Sequence, residues 1–124
     1  MTLAVLPAES DAFPKAARAV TESLSNAKVS GIDDREMSKV SLEVVQLSIE
    51  CVEPTVVCYE AVGKSLSVNR LLFAAIEPAS KKQLKVTVTL FDVDARYPHS
   101  AQRTFANEKE ASSGINDLVA EITR

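Results

Sequence analysis

Leu84, Val86, Val88 and Leu90 alternate with Lys85, Thr87 and Thr89, the cleanest periodicity in the chain, and a period of two predicts a strand with one face in a core. At Phe91 the parity changes. Phe91 and Val93 are apolar while Asp92 and Asp94 fall in phase with the former core face, so the strand is expected to bulge or leave the core there. Upstream, Leu71-Leu72-Phe73-Ala74-Ala75-Ile76 is an uninterrupted apolar run of the length of a central strand buried on both faces. Pro78-Ala79-Ser80-Lys81-Lys82 supplies turn chemistry between the two. Residues 3–6, closed by Pro7, predict a short buried strand, and residues 28–32 a second. Tyr97-Pro98-His99 reads as a hairpin tip, with Ala101, Gln102, Arg103, Thr104 and Phe105 returning as an edge strand.

Helical spacing occupies the rest. Phe13, Ala16, Ala17, Val20, Leu24 and Ala27 form one apolar face, with Ser10 or Asp11 as N-cap and Pro14 in the first turn. Asp33 followed by Glu36 has the capping-box pattern, and Met37, Val40, Val44 and Leu47 continue at helical spacing, which predicts a second helix, although the tail from Val44 to Cys51 is rich enough in β-branched residues to suit a strand as well. Pro54 can open a third helix, carrying Cys58, Ala61, Val62, Ser65 and Leu66 and ending near Ser67. Gly63 inside it costs about 1 kcal/mol relative to alanine and implies close helix-to-sheet contact. Asn107 with Glu110, then Ala111, Ile115, Leu118, Val119 and Ile122, predict a terminal helix.

The order β-α-β-α-α-β-β-β-α, with crossovers preceding adjacent strands, predicts an α/β (α+β) domain: a mixed sheet of about five strands with helices packed on it. At 124 residues one domain is expected, covering 1–124. A folded chain of this mass should expose roughly 6,500 Å² of about 19,000 Å² in the extended chain.

Composition mainly excludes. No apolar run reaches the ~18 residues of a membrane helix. Three isolated glycines cannot write a phosphate-binding loop, so no nucleotide cofactor is expected. The chain is acidic, with net charge -3, and unevenly so: residues 1–62 hold five basic and ten acidic side chains, residues 63–124 nine and seven. An acidic chain without a basic stripe is a poor nucleic-acid binder, and Lys81, Lys82 and Lys85 read as a solvated turn. The first residues have no basic segment or long apolar run, so either the protein is cytoplasmic or the chain starts after a removed leader.

Cys51 and Cys58 are too few for a zinc site with only His99 as a further ligand. They form either a disulfide, worth about 2.5 kcal/mol for so short a loop, or two buried free thiols. A nucleophilic Cys58 would need His99, the one imidazole, as its base. A helix face that is apolar raises a thiol pKa rather than lowering it. Asp92-Val93-Asp94 puts two carboxylates on one strand face and could hold a divalent metal, although solvated acids at a strand end are commoner; no metal is assigned. Phe73, Phe91 and Phe105 read as core.

Ala4-Val5-Leu6-Pro7 at the start, a cysteine pair bracketing a helix start, the stretch from Cys58 through Gly63 to Ile76, and Leu84, Val86, Val88, Leu90 and Asp92 in alternation follow one pattern. Together they resemble the N-terminal α/β domain of the TolB N-terminal/CsgG-like group of periplasmic proteins, especially its myxobacterial-type copies. Ser67 and Ala74 stand where glycine is usual. The resemblance covers nearly the whole chain. It implies a non-catalytic periplasmic scaffold or assembly domain of a Gram-negative cell-envelope complex, with other envelope proteins as partners and self-association as a further option. It also implies a Cys51–Cys58 disulfide, and therefore an oxidising compartment. The alternative is a cytoplasmic regulatory or adaptor domain with reduced cysteines, and the third reading a small Cys/His hydrolase. Edge strands offer unpaired backbone groups, so residues 101–105 are the expected docking segment.

Overall fold

A computed structural model describes residues 1–123. Strands β1 (Thr2–Val5), β2 (Asp34–Met37), β3 (Arg70–Pro78), β4 (Leu84–Asp92) and β5 (Tyr97–Phe105) form one mixed sheet in the order β2-β1-β3-β4-β5. Helices α1 (Pro14–Asn26), α2 (Leu42–Ser48), α3 (Val56–Leu66) and α4 (Glu108–Thr123) complete the single domain. The element order is the one the periodicity predicts. The accessible surface, 7014 Å², is close to the scaling expectation.

β1 pairs in parallel with both β2 and β3, and β3-β4-β5 is an antiparallel meander. From β1 the chain crosses to β2 through α1, then returns over β1 to β3 through α2 and α3. Parallel crossovers share one hand, so reversing the direction of travel puts α1 and the α2–α3 pair on opposite faces. The core is accordingly double. Leu3, Val5, Leu72, Leu84, Val86 and Val88 meet α1 and α4. Ala4, Leu6, Leu71, Phe73, Phe91 and Val93 meet α2 and α3.

This two-sided packing corrects the reading of β4. The β3–β4 register runs without interruption from Pro78↔Leu84 to Arg70↔Asp92, so there is no bulge and the strand does not leave the core. Phe91 and Val93 are buried on the face that α3 covers. The parity change marks where the second layer of helices begins.

Three boundaries also move. Residues 28–32 form a loop through Gly31, whose φ of +80° suits glycine, and the strand is instead Asp34–Met37. Its four side chains are all exposed, and its pairing with β1 holds it in place. The second helix starts at Leu42, capped by Ser41, whose hydroxyl accepts from Val44 N at 3.4 Å; Asp33 caps nothing helical. It buries Leu42, Val45 and Gln46, so Met37, Val40, Val44 and Leu47 form an exposed stripe rather than core. α3 is capped by Thr55 rather than opened by Pro54. The hairpin tip falls at residues 93–96, and Tyr97-Pro98-His99 already belongs to β5. Pro98 is tolerated because β5 is an edge.

Two positions on α3 have stability effects opposite to helix propensity and to the generic cost of adding glycine. A Cβ on Gly63 would lie 2.4 Å from Val93 Cγ2, the close contact expected from the sequence. Ser67 ends the helix in the left-handed region at φ 58° and ψ 45°, where the resembled family has glycine. Gly63→Ala is expected to lower stability by about 1–2 kcal/mol, overpacking outweighing the gain in propensity. Ser67→Gly should raise it by about 0.5–1 kcal/mol, the relief of left-handed strain outweighing added chain entropy. Urea midpoints at unchanged slope measure both.

Candidate interaction site

The α2–α3 connection is cross-linked: Cys51 and Cys58 form a disulfide with their Cα atoms 5.3 Å apart. Local bonds hold the same loop. Cys51 N donates to Gln46 O at 3.0 Å, and the Gln46 side chain, itself buried, donates to Glu53 O at 3.1 Å. Thr55 Oγ1 accepts from Cys58 N, so the second sulfur lies in the first turn of α3. Behind it Tyr59 packs between Phe73 and Phe91, with ring centroids at 5.1 and 5.7 Å. Burial, and then the Glu43 carboxylate, hold the Tyr59 hydroxyl above its ordinary pKa.

The bond removes the thiol that a Cys/His hydrolase would need. Cys58 belongs to α3, whereas His99 lies against Tyr97 at 4.6 Å and lines a shallow depression with Glu121 and Ile122 of α4. The sheet stands between them, so the hydrolase reading is overturned. Asp92 and Asp94 share a counter-ion, Asp92 partly buried and Asp94 exposed: Arg70 Nη1 is 3.0 Å from Asp92 and 3.7 Å from Asp94. Asn69 donates to Asp94 as well, at 3.3 Å. This cluster ties the start of β3 to the end of β4.

Residues 101–105 lie in β5, which pairs only with β4 and leaves its other side open. The five side chains differ sharply. Phe105 is buried, its ring against Gly114 of α4. Arg103 is held by Glu121 at 2.9 Å, and Ala101 is half-buried. Gln102 and Thr104 are exposed on the face opposite α4, where no helix covers β5. Neighbouring Ser100 shares a hydroxyl hydrogen bond of 2.9 Å with Thr89. What the strand offers outward is therefore backbone, with two polar side chains.

A second surface was hidden by its own periodicity. Of the eight large apolar side chains that are exposed among the described residues, six fall between Met37 and Val57: Met37, Val40, Val44, Leu47, Val52 and Val57. Helical spacing alone cannot tell an inward stripe from an outward one.

No protein-family model matches the chain, and no curated protein matches it in sequence. Solved structures do share its fold. The LpoB C-terminal domain from Salmonella enterica is similar at a TM-score of 0.50 and 12% identity, covering 84% of this chain and 81% of that one. A PelC dodecamer from Paraburkholderia phytofirmans is similar at a TM-score of 0.50 and 16% identity, covering 99% and 87%. TolB from Acinetobacter baumannii aligns at a TM-score of 0.46 and 12% identity over 97% of this chain and 27% of its own. At these identities the likeness is one of fold.

The disulfide generates a prediction. Protein made in an oxidising compartment and denatured without reductant should take up no alkylating agent by mass spectrometry, and two equivalents after reduction. Cys51→Ser/Cys58→Ser should lower stability by about 2–3 kcal/mol in chemical unfolding.

Proposed function

We propose that this chain is a non-catalytic protein-interaction domain of a Gram-negative cell-envelope complex, working in the periplasm and docking partners on β5. The observation that carries the reading is the open edge of β5. It is nine residues long, and Arg103 is its one residue of fixed charge. Edge strands not meant for pairing are usually blunted by lysines, prolines, bulges or brevity; β5 carries Pro98 near its start, but residues 99–105 have no lysine, proline or bulge. An extended segment of a partner can add to it through main-chain hydrogen bonds, with Gln102 and Thr104 setting local preference. The disulfide supports export, because such bonds persist in oxidising compartments and are rare in the cytosol. The sequence resemblance to periplasmic domains and the shared fold with the LpoB C-terminal domain support the same reading.

Consecutive residues of an edge strand point their N–H groups alternately into the ladder and out of it. Ala101→Pro and Gln102→Pro therefore separate docking from folding. The variant that keeps the parent thermal midpoint has lost an outward donor, and it should lose capture of partners from solubilised envelope. Unchanged capture by that variant would remove β5 from the reading.

A second reading, assembly of several copies, is favoured by the exposed stripe on α2 and by the dodecameric state of the PelC match. Light scattering should then find a species larger than a monomer, and Val44→Glu/Leu47→Glu should return it to monomer. A parent chain that is monomeric at all concentrations excludes this reading.

A further inference from the structure

Lys81 and Lys82 are exposed in the β3–β4 turn, as the sequence predicts, and they also border a cavity. Lys85 pairs with Glu77 at 3.8 Å, but Lys81 and Lys82 line an open cavity of about 890 Å³ whose other basic groups are Lys15 of α1 and Lys109 of α4. None of these four lysines is in an ion pair among the described residues. Glu108 is the one acidic residue in the lining. Its carboxylate is already engaged: Oε2 accepts from the backbone N–H groups of Lys15 at 2.9 Å and Ala16 at 3.0 Å. A chain of net charge -3 thus gathers four cations and one committed carboxylate around one cavity.

The arrangement runs against local stability. Lys15 and Lys109 stand in the first turns of their helices, beside the positive end of the dipole, where cations are disfavoured; α1 has no acid there to offset Lys15, whereas Lys109 lies between Glu108 and Glu110. Lys81 adopts φ +53°, a conformation more easily taken by glycine. Departures from local rules that converge on one place mark function more often than chance. The cavity also has an apolar part, formed by Ala12, Phe13 and Pro78.

We infer that this cavity binds the phosphate group of an organic ligand, the ammonium groups meeting the phosphate oxygens and the apolar part holding the attached moiety. Lysines act on phosphate as mobile point charges, and four of them suit a multivalent anion better than a lone carboxylate. The four lysines line one concavity rather than a stripe along the surface, which suits a discrete phosphate better than a nucleic-acid backbone. The inference is independent of docking at β5.

Two probes distinguish the sources of phosphate: inorganic pyrophosphate, followed by amide shifts of Lys109 and Ser112, and equimolar phosphatidylcholine–phosphatidylglycerol vesicles, followed by flotation at low salt. Lys81→Gln/Lys82→Gln should weaken binding about tenfold, as expected for lost charge-assisted hydrogen bonds. Lys28→Gln/Lys39→Gln, with the same change in net charge elsewhere, should leave it unchanged. Lysine-dependent binding of vesicles alone assigns a lipid headgroup; of pyrophosphate, a soluble organophosphate; competition between the two, one site open to both. No binding of either probe, or equal weakening by the two double variants, overturns the inference. All four substitutions are at exposed positions, and an unchanged thermal midpoint confirms that folding is not what was altered.

Discussion

β3 is the constraint on which the structure depends. It is hydrogen-bonded in parallel to β1 on one side and antiparallel to β4 on the other. It also supplies both cores, with Leu72 facing α1 and α4 and Leu71 and Phe73 facing α2 and α3. A strand so placed has no solvent side over its first half, which is why it reads as a continuous apolar run. Further along, Ala75 and Glu77 are exposed, because the α2–α3 layer ends before the sheet does. The uncovered corner of the sheet follows from this shortfall of helix, whereas the open edge of β5 follows from its place as the last strand in the sheet.

The same geometry decides what was legible in the sequence. α1, α4 and β4 could be read because one-sided burial imposes a period on them, and β3 because burial on both faces makes it a continuous apolar run. β2 could not: Asp34, Arg35, Glu36 and Met37 are all exposed, and a strand held by backbone pairing to a neighbour leaves no hydrophobic signature. The stripe Met37, Val40, Val44 and Leu47 was visible as a spacing, but spacing does not carry direction. The cysteines were ambiguous as residues; a family likeness, not spacing, pointed to their bond. The lysine cavity was legible only at Lys81 and Lys82, because Lys15 and Lys109 reach it from opposite ends of the chain.

The two ends of the sheet are managed differently. At β2 the side chains are charged and the strand short, the usual means of discouraging an added strand. At β5 the strand is long and nearly free of charge. Near β2, however, the exposed apolar residues of α2 offer a surface of another kind, one for helix or side-chain packing rather than backbone pairing. The two candidate surfaces lie at opposite ends of the sheet and differ in the kind of contact they offer.

Glu108 has a consequence for how the chain reaches this fold. The first turn of α1 has no acidic residue of its own, and Phe13 gives it no side-chain cap; its amides are satisfied by a carboxylate 92 and 93 residues downstream. During synthesis, α1 therefore emerges long before the group that completes it. Its closure waits for α4, the C-terminal element of this domain, and β1 and β3 must likewise find each other across about half of the domain's sequence. Such contacts of high sequence separation favour slow folding of the domain as a unit once α4 has been made over stepwise folding element by element.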